Sequence, residues 1–159
     1  CGYYLYRRDL YCGRRRIRMA ELLSFDTGLV TYTLNGKCEV TFNPTDSFFV
    51  ERISGVFDKL DELQEKYTAG VQNVDGSNVY EFARKCDAEM RDLMDTLFDY
   101  PICADVFGEL NVYAYANGLP VWANLLMALV DVINGAFDNE PKLTSKRIEK
   151  YTAKYRKKK

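Results

Sequence analysis

The side chains that could do chemistry in this chain are carboxylates and thiols, because the sequence contains no histidine. Histidine is the commonest general base and a common metal ligand, and it is also the usual partner that activates a cysteine nucleophile. The cysteines are scattered and include no C-x-x-C pair, which argues against a zinc site or a disulfide framework. We interpret all five as small buried hydrophobic residues or free thiols: Cys1, Cys12, Cys38, Cys86 and Cys103.

One series of carboxylates, Asp87, Glu89, Asp92, Asp95 and Asp99, could in principle bind a divalent cation. On a helix, however, this spacing places the carboxylates mainly on the solvent side, and no loop has the alternating Asp/Asn pattern of a calcium site. The sequence also lacks both G-x-x-x-x-G-K-S/T and G-x-G-x-x-G. We therefore predict no catalytic residue, no metal and no cofactor. An enzyme would have to rely on carboxylates alone, such as Asp92 or Asp95.

The net charge of −1 conceals a strong asymmetry along the chain. Residues 19–141 contain 21 acidic and seven basic side chains, a net charge of −14. Residues 1–18 hold six arginines and one aspartate, and residues 142–159 hold nine lysines or arginines and one glutamate. An acidic body repels nucleic acid and favours basic partners, although it also simply keeps a small protein soluble.

These charges divide the 159 residues into one acidic α+β domain at 19–141 and two basic ends. The run from Gly13 to Met19, Gly-Arg-Arg-Arg-Ile-Arg-Met, can be encoded as a purine tract of the kind that binds a bacterial ribosome just upstream of an ATG. We therefore expect residues 1–18 to be a translated upstream region, with the protein beginning at Met19. The alternative is a genuine basic arm that binds an acidic partner.

Hydropathy points to a cytoplasmic protein, and the ribosome-binding tract before Met19, if it is one, implies that the cytosol is that of a bacterial host. No run approaches the roughly 18 apolar residues that cross a bilayer. The first residues include no apolar signal-peptide segment. We expect no contact with a membrane.

The pattern predicts an α+β fold that is mainly helical: an N-terminal β-hairpin, three long helices and a short basic C-terminal helix. The hairpin joins 29–34 to 37–42 through Asn35-Gly36, whose residues tolerate the positive φ of a type I′ turn. The first helix is expected from an Asn43 cap, with Pro44 in its first turn, to about Tyr67.

The second helix is expected from a Ser77 or Asn78 cap to about Phe98. A short helical turn over 102–107 should end at Gly108, and 111–118 is ambiguous between an extended segment and a loop. A third long helix opens at Pro120, and the chain breaks at 138–141 before the basic helix begins.

The third helix is apolar on more than one face, which favours either a central position or a partner surface. The candidate partner-binding side chains are Phe98, Phe107, Trp122, Leu126, Val130 and Phe137. Taken one residue at a time, ordinary core packing explains them more simply. The same surface could mediate self-association.

Aromatic residues combine with positive charge only near the C-terminus, around Tyr151 and Tyr155. This combination can bind nucleic acid by stacking and by phosphate contacts, but a basic tail is often simply solvated. The candidate tail residues are Lys150, Lys154, Arg156, Lys157, Lys158 and Lys159.

From Met19 onward, the order of motifs resembles the small tail assembly chaperones of long-tailed phages and prophages of Gram-positive bacteria. The motifs are Leu34-Asn35-Gly36-Lys37, Asn43-Pro44-Thr45-Asp46, Leu93-Met94-Asp95-Thr96-Leu97-Phe98, Val106-Phe107-Gly108 and Arg147-Ile148-Glu149-Lys150-Tyr151.

The resemblance implies a cytosolic protein without an active site that coats the tape measure protein while tail-tube subunits are recruited. It also implies a longer form made by frameshifting near the consecutive lysine codons at the end. The competing hypothesis is a regulatory protein of a phage or mobile element that binds nucleic acid through its basic tail. Salt separates the two, because phosphate binding weakens steeply with added salt and apolar binding persists.

Overall fold

The computed structural model describes the backbone of residues 21–156 and the side chains of residues 21–142. The predicted leader at 1–18 and the tail residues Lys157, Lys158 and Lys159 lie outside the described residues. The fold is α+β and mainly helical, as predicted. Its elements in chain order are β1 (Val30–Leu34), β2 (Cys38–Phe42), α1 (Ser47–Val71), α2 (Val79–Met94), α3 (Cys103–Phe107), β3 (Tyr115–Ala116), β4 (Leu119–Pro120) and α4 (Val121–Arg156).

The N-terminal hairpin and its Asn35-Gly36 turn are confirmed, but the predicted register is wrong by one residue: Lys37 belongs to the loop, and Leu34 lies opposite Cys38 instead of Lys37. Strands β1 and β2 pair antiparallel from Val30 opposite Phe42 to Leu34 opposite Cys38. Asn35 and Gly36 have φ of 50° and 69°, the positive values that a type I′ turn needs. On β2 the alternating residues Val40 and Phe42 are buried, so one face of this ribbon packs on the helices.

Helix α1 begins four residues later than its predicted cap. Asn43 Oδ1 instead accepts hydrogen bonds from the backbone N–H and the hydroxyl of Thr45, both at 2.8 Å, and closes a turn before the helix. The cap is Asp46, whose Oδ1 accepts from the N–H of Phe48 at 3.0 Å. The helix then continues to Val71, one turn beyond the predicted end.

Helix α2 starts after Asn78, as predicted, but ends at Met94 rather than near Phe98. The chain turns there because the N–H and hydroxyl of Thr96 both donate to the Leu93 carbonyl, at 3.2 and 2.6 Å. The short helix α3 follows and ends at Gly108, which has the predicted positive φ at 53°.

The ambiguous stretch at 111–118 contains the start of a second, very short hairpin. Strands β3 and β4 pair Tyr115 with Pro120 and Ala116 with Leu119. Asn117 and Gly118 form its turn, with φ of 54° and 81°. This hairpin delivers the chain directly into α4.

The predicted break at 138–141 is wrong, since α4 continues as one helix from Val121 to Arg156 with Pro141 inside it. The third long helix and the basic C-terminal helix are therefore a single element. Proline removes one backbone donor and crowds the preceding turn, so it favours a kink at this point without ending the helix. At 1.5 Å per residue, the 36 residues of α4 extend over roughly 54 Å.

The core lies between β2, α1, α2 and the first half of α4. Helices α1 and α4 run antiparallel, because Trp122 contacts Phe57 and Gln64 whereas Ile133 lies beside Val50. The Trp122 indole N–H donates to Gln64 Oε1 at 3.0 Å in the buried interior, so neither polar group is left without a partner. Full burial of one large apolar side chain stabilises the fold by about 1.5–3 kcal/mol.

By length and composition alone, one described helical stretch, Val121–Lys142, could cross a membrane. Core helices of soluble proteins meet the same criterion, so the expectation of no membrane contact stays a prediction. The same stretch also supplies Trp122, Leu126, Leu129 and Ile133 to the core of this chain.

Candidate functional site

The groove that best suits a partner lies between the tip of the first hairpin and the first turns of α4. It is open to solvent and has a volume of about 620 Å³. Hydrophobic side chains form most of its walls: Leu34 from β1, Val106 and Phe107 from α3, Leu110 from the following loop, and Val121, Leu125 and Ala128 from α4. We call this set of residues the apolar groove.

Two hydrogen bonds, one from a side chain and one between backbone groups, hold the walls in place. The Lys37 ammonium donates to the Val106 carbonyl at 2.9 Å and fastens the hairpin tip to α3. On the opposite wall, the N–H of Val121 donates to the Ala114 carbonyl at 2.7 Å, which fixes the loop against the start of α4.

Arg91 organises the wall made by α3 and its following loop. Its guanidinium binds Asp87 Oδ2 at 2.7 Å and donates to the carbonyls of Cys103, Gly108 and Leu110 at 3.3, 2.9 and 2.6 Å. A planar guanidinium presents several donors in a fixed arrangement, so one side chain can hold three carbonyls together. Arg91 therefore positions Leu110 at the rim of the apolar groove.

Two members of the carboxylate series stabilise the backbone. Asp87 Oδ1 accepts from the N–H of Val112 at 2.8 Å, and Asp95 Oδ1 accepts from Ile102 and Cys103 at 2.8 and 2.9 Å. Within the described part of the chain, no group of three or more Cys, Asp or Glu side chains is close enough to hold a metal ion. Asp95 therefore caps the start of α3, and Asp87 fixes the loop that follows α3.

The buried thiol beside this cap is held in its protonated form. Burial, together with a hydrogen bond to the Asp95 carboxylate, raises the pKa of Cys103 well above its usual value. A thiol is nucleophilic only when deprotonated, so this environment suppresses the reactivity of Cys103.

Acidic residues are next to lining residues of the apolar groove in the sequence or one helical turn away from them. Asp105 and Glu109 are exposed beside the α3 wall, and Asp131 is exposed one turn beyond Ala128 on the same face of α4. Burial and, secondarily, the Asp105 carboxylate raise the pKa of the Cys38 thiol, which puts Asp105 beside the hairpin. The one lysine in the lining, Lys37, already donates to a carbonyl.

The structure places the predicted partner-binding residues in different surroundings. Phe98, Trp122 and Leu126 are buried in the core, so the prediction that they form an exposed face is wrong. Trp122 and Leu126 belong to the stripe of α4 that packs on α1, and Phe98 packs on Phe42 and Phe49. Phe107 is half-buried and lines the apolar groove.

Val130 lines a second, smaller cavity of about 250 Å³ between α1 and α4. Phe137 is 48% exposed. The predicted tail residues Lys150, Lys154 and Arg156 lie on the helical backbone of α4, and their side chains are outside the described ones.

The sequence analysis missed Leu34, Leu110 and Leu125 as members of the candidate site. The available signal was Leu110 itself, an apolar residue in a polar connection after Gly108. Its meaning depends on the second hairpin, which brings the loop back against α4.

Comparisons gave no direct evidence of function: no family model, curated protein or solved structure matches this chain.

Proposed function

We propose that this chain is a tail assembly chaperone of a long-tailed phage or prophage, which binds the tape measure protein and helps to recruit tail-tube subunits. The observation that carries the proposal is an open apolar groove on a strongly acidic body. Leu110, on its rim, is 49% exposed. A chaperone for a long apolar client needs this combination of an apolar surface and a charged exterior.

The mechanism is helix binding. An amphipathic client helix would insert apolar side chains, spaced three and four residues apart, between Phe107 and Leu125. Asp105 and Glu109 would accept lysine or arginine side chains that flank the client's apolar stripe. The rest of the acidic surface would keep the complex apart from other complexes in solution.

The test is suppression of aggregation. A tape measure fragment from a long-tailed phage of a Gram-positive host is diluted from denaturant with and without the chain, and light scattering is followed. Leu110→Asp should reduce the suppression about tenfold, since a carboxylate would then have to be desolvated in the groove. Leu22→Asp is the matched control, because Leu22 is 95% exposed and is not part of the groove.

A wild-type chain that leaves the scattering unchanged would contradict the proposal, and so would equal losses in the two variants. The flanking DNA provides a separate check. A tube-protein gene upstream and a very long reading frame downstream are expected, and unrelated neighbours would count against the proposal.

A second candidate function is nucleic-acid binding by a regulatory protein, favoured by the position of the basic residues on the far half of α4. In that case affinity for a DNA duplex should fall steeply with salt. Lys150→Glu should weaken the binding, and Leu110→Asp should leave it unchanged.

A further inference from the structure

Acidic and basic side chains are segregated along this chain. Residues 19–141 carry a net charge of −14, and residues 142–159 carry nine basic side chains against Glu149. The backbone of the basic end is helical and continuous with α4 as far as Arg156. The basic residues from Lys142 to Arg156 therefore lie on the same helix that begins in the acidic body.

The direction of α4 prevents the basic end from reaching the groove of its own chain. Leu125 in the groove and Lys142 at the start of the basic end are 17 residues apart, or roughly 26 Å along the helix. Helix α4 passes the start of α1 near Asn134, and the described side chains beyond it are exposed except for half-buried Ala136. A kink at Pro141 bends a helix but does not reverse it.

The basic end has the chemistry that the groove requires. Ile148, Tyr151 and Tyr155 recur at three and four residues in a helical stretch whose other residues are mostly lysine and arginine. The apolar groove offers hydrophobic walls, it belongs to a body with a net charge of −14, and the exposed Asp105 and Glu109 adjoin its lining residues Val106 and Leu110 in the sequence. The apolar spacing and the positive charge of the basic end therefore both complement the apolar groove and the acidic body around it.

We propose that the basic end of α4 of one copy, residues 142–156, occupies the apolar groove of a second copy. The groove and the basic end are different surfaces, so the contact is head-to-tail. A pair of copies therefore keeps one unoccupied groove and one unbound basic end. Such contacts build chains or closed rings rather than simple two-fold dimers. If the groove also binds the client, the client and the basic end compete for it. Only this competition rests on the proposed function.

The test uses two full-length variants that should each lose assembly for a different reason. Ala128→Arg places a cation in the groove at an exposed helical position, where it repels the basic end. The tail variant combines Lys146→Glu, Lys150→Glu and Lys154→Glu and keeps the groove intact. Ala88→Arg is the matched control, an exposed alanine on α2 outside the groove.

Sedimentation velocity should show concentration-dependent oligomers for the wild type and for Ala88→Arg. Each of the other two variants alone should be monomeric, with association at least about tenfold weaker. Mixing these two should give a one-to-one dimer and nothing larger, because only one intact groove and one intact basic end remain. Circular dichroism of each variant confirms that it is folded.

Raising NaCl from about 0.1 M to about 1 M shortens the Debye length from about 10 Å to about 3 Å and should shift the wild type toward monomer. A wild type that is monomeric at low salt would overturn the proposal, as would a mixture of folded variants that stays monomeric. Assembly that disappears on nuclease treatment would also overturn it, since the basic end would then be binding nucleic acid. None of these measurements needs the client, so they can fail independently of the chaperone proposal.

Discussion

The two halves of α4 have the same backbone conformation and opposite surroundings. From Val121 to Ile133 the helix packs on α1 and the loops, and Trp122 and Leu126 are almost fully buried. From Asn134 to Lys142 every described side chain except half-buried Ala136 is exposed. The stretch Val121–Ile133, the packed half, therefore stabilises the fold, while the described stretch Asn134–Lys142, the projecting half, contributes little to the core.

The difference follows from the order of apolar residues. Trp122, Leu126, Leu129 and Ile133 recur at three and four residues and form one stripe against the core. After Ile133 that stripe continues only to Phe137, which is 48% exposed because α1 begins beside this level of α4. The total length of α4 and the length of the part that packs in the core are therefore set by different residues.

The largest effect is expected at the centre of the packed half. Leu126→Ala should lower the free energy of unfolding by about 2–5 kcal/mol, because it removes a fully buried side chain and leaves a cavity. Urea denaturation followed by circular dichroism measures the change. The neighbouring Met127→Ala is the control, at about 0.5 kcal/mol or less, since Met127 is largely outside the core. Equal losses would mean that this half is not packed as described.

The buried hydrogen bond of the packed half gives the next largest effect. Gln64→Leu should cost about 1–3 kcal/mol of unfolding free energy, because the Trp122 indole N–H loses its acceptor. A double-mutant cycle with Trp122→Phe isolates the pair. The double variant should be more stable than the sum of the single losses predicts, and strict additivity would contradict the hydrogen bond.

A substitution in the projecting half should change the stability of that part of α4 and leave the stability of the whole fold unchanged. Pro141→Ala restores a backbone donor and improves helix propensity at that position by up to about 3 kcal/mol. Hydrogen exchange should slow for amides near residue 141, while the unfolding free energy of the body changes by no more than about 0.5 kcal/mol. A larger change in the body would show that the two halves unfold as one unit.

The smallest effect on stability is expected at Phe137. Phe137→Ala should change the unfolding free energy by about 0.5 kcal/mol or less, although a buried phenylalanine typically contributes about 3–5 kcal/mol. Chemical denaturation again provides the measurement. A loss comparable to that of Leu126→Ala would place Phe137 in the core and move the boundary between the halves toward the C-terminus.

The two Asn-Gly turns show how far local sequence could predict this fold. Asn35-Gly36 lies between strands rich in β-branched and aromatic residues, so the turn and its two strands were predicted, although the pairing is shifted by one residue because Lys37 joins the loop. Asn117-Gly118 has the same backbone geometry but strands of two residues each, one of which ends in Pro120. Flanks this short carry no alternation, and their pairing depends on contacts with α4.

Helix boundaries were predicted less well where tertiary contacts compete with local signals. Asn43 has the side chain of a cap, yet it closes a turn with Thr45, and Asp46 takes the role. Pro141 has the signature of a break and is accommodated within α4. Apolar spacing identified Leu126 as important without indicating whether its partner was this chain or another one.

The only tryptophan of the sequence is Trp122, which is 2% exposed and stacks edge-on with Phe57. The tryptophan fluorescence of this chain, excited at a wavelength where tyrosine does not absorb, therefore originates from a single shielded indole. The wavelength of its emission maximum should increase when the whole fold unfolds. It should stay unchanged when only the far end of α4 frays. The chain thus carries its own optical probe for telling global denaturation from local fraying, with no added label.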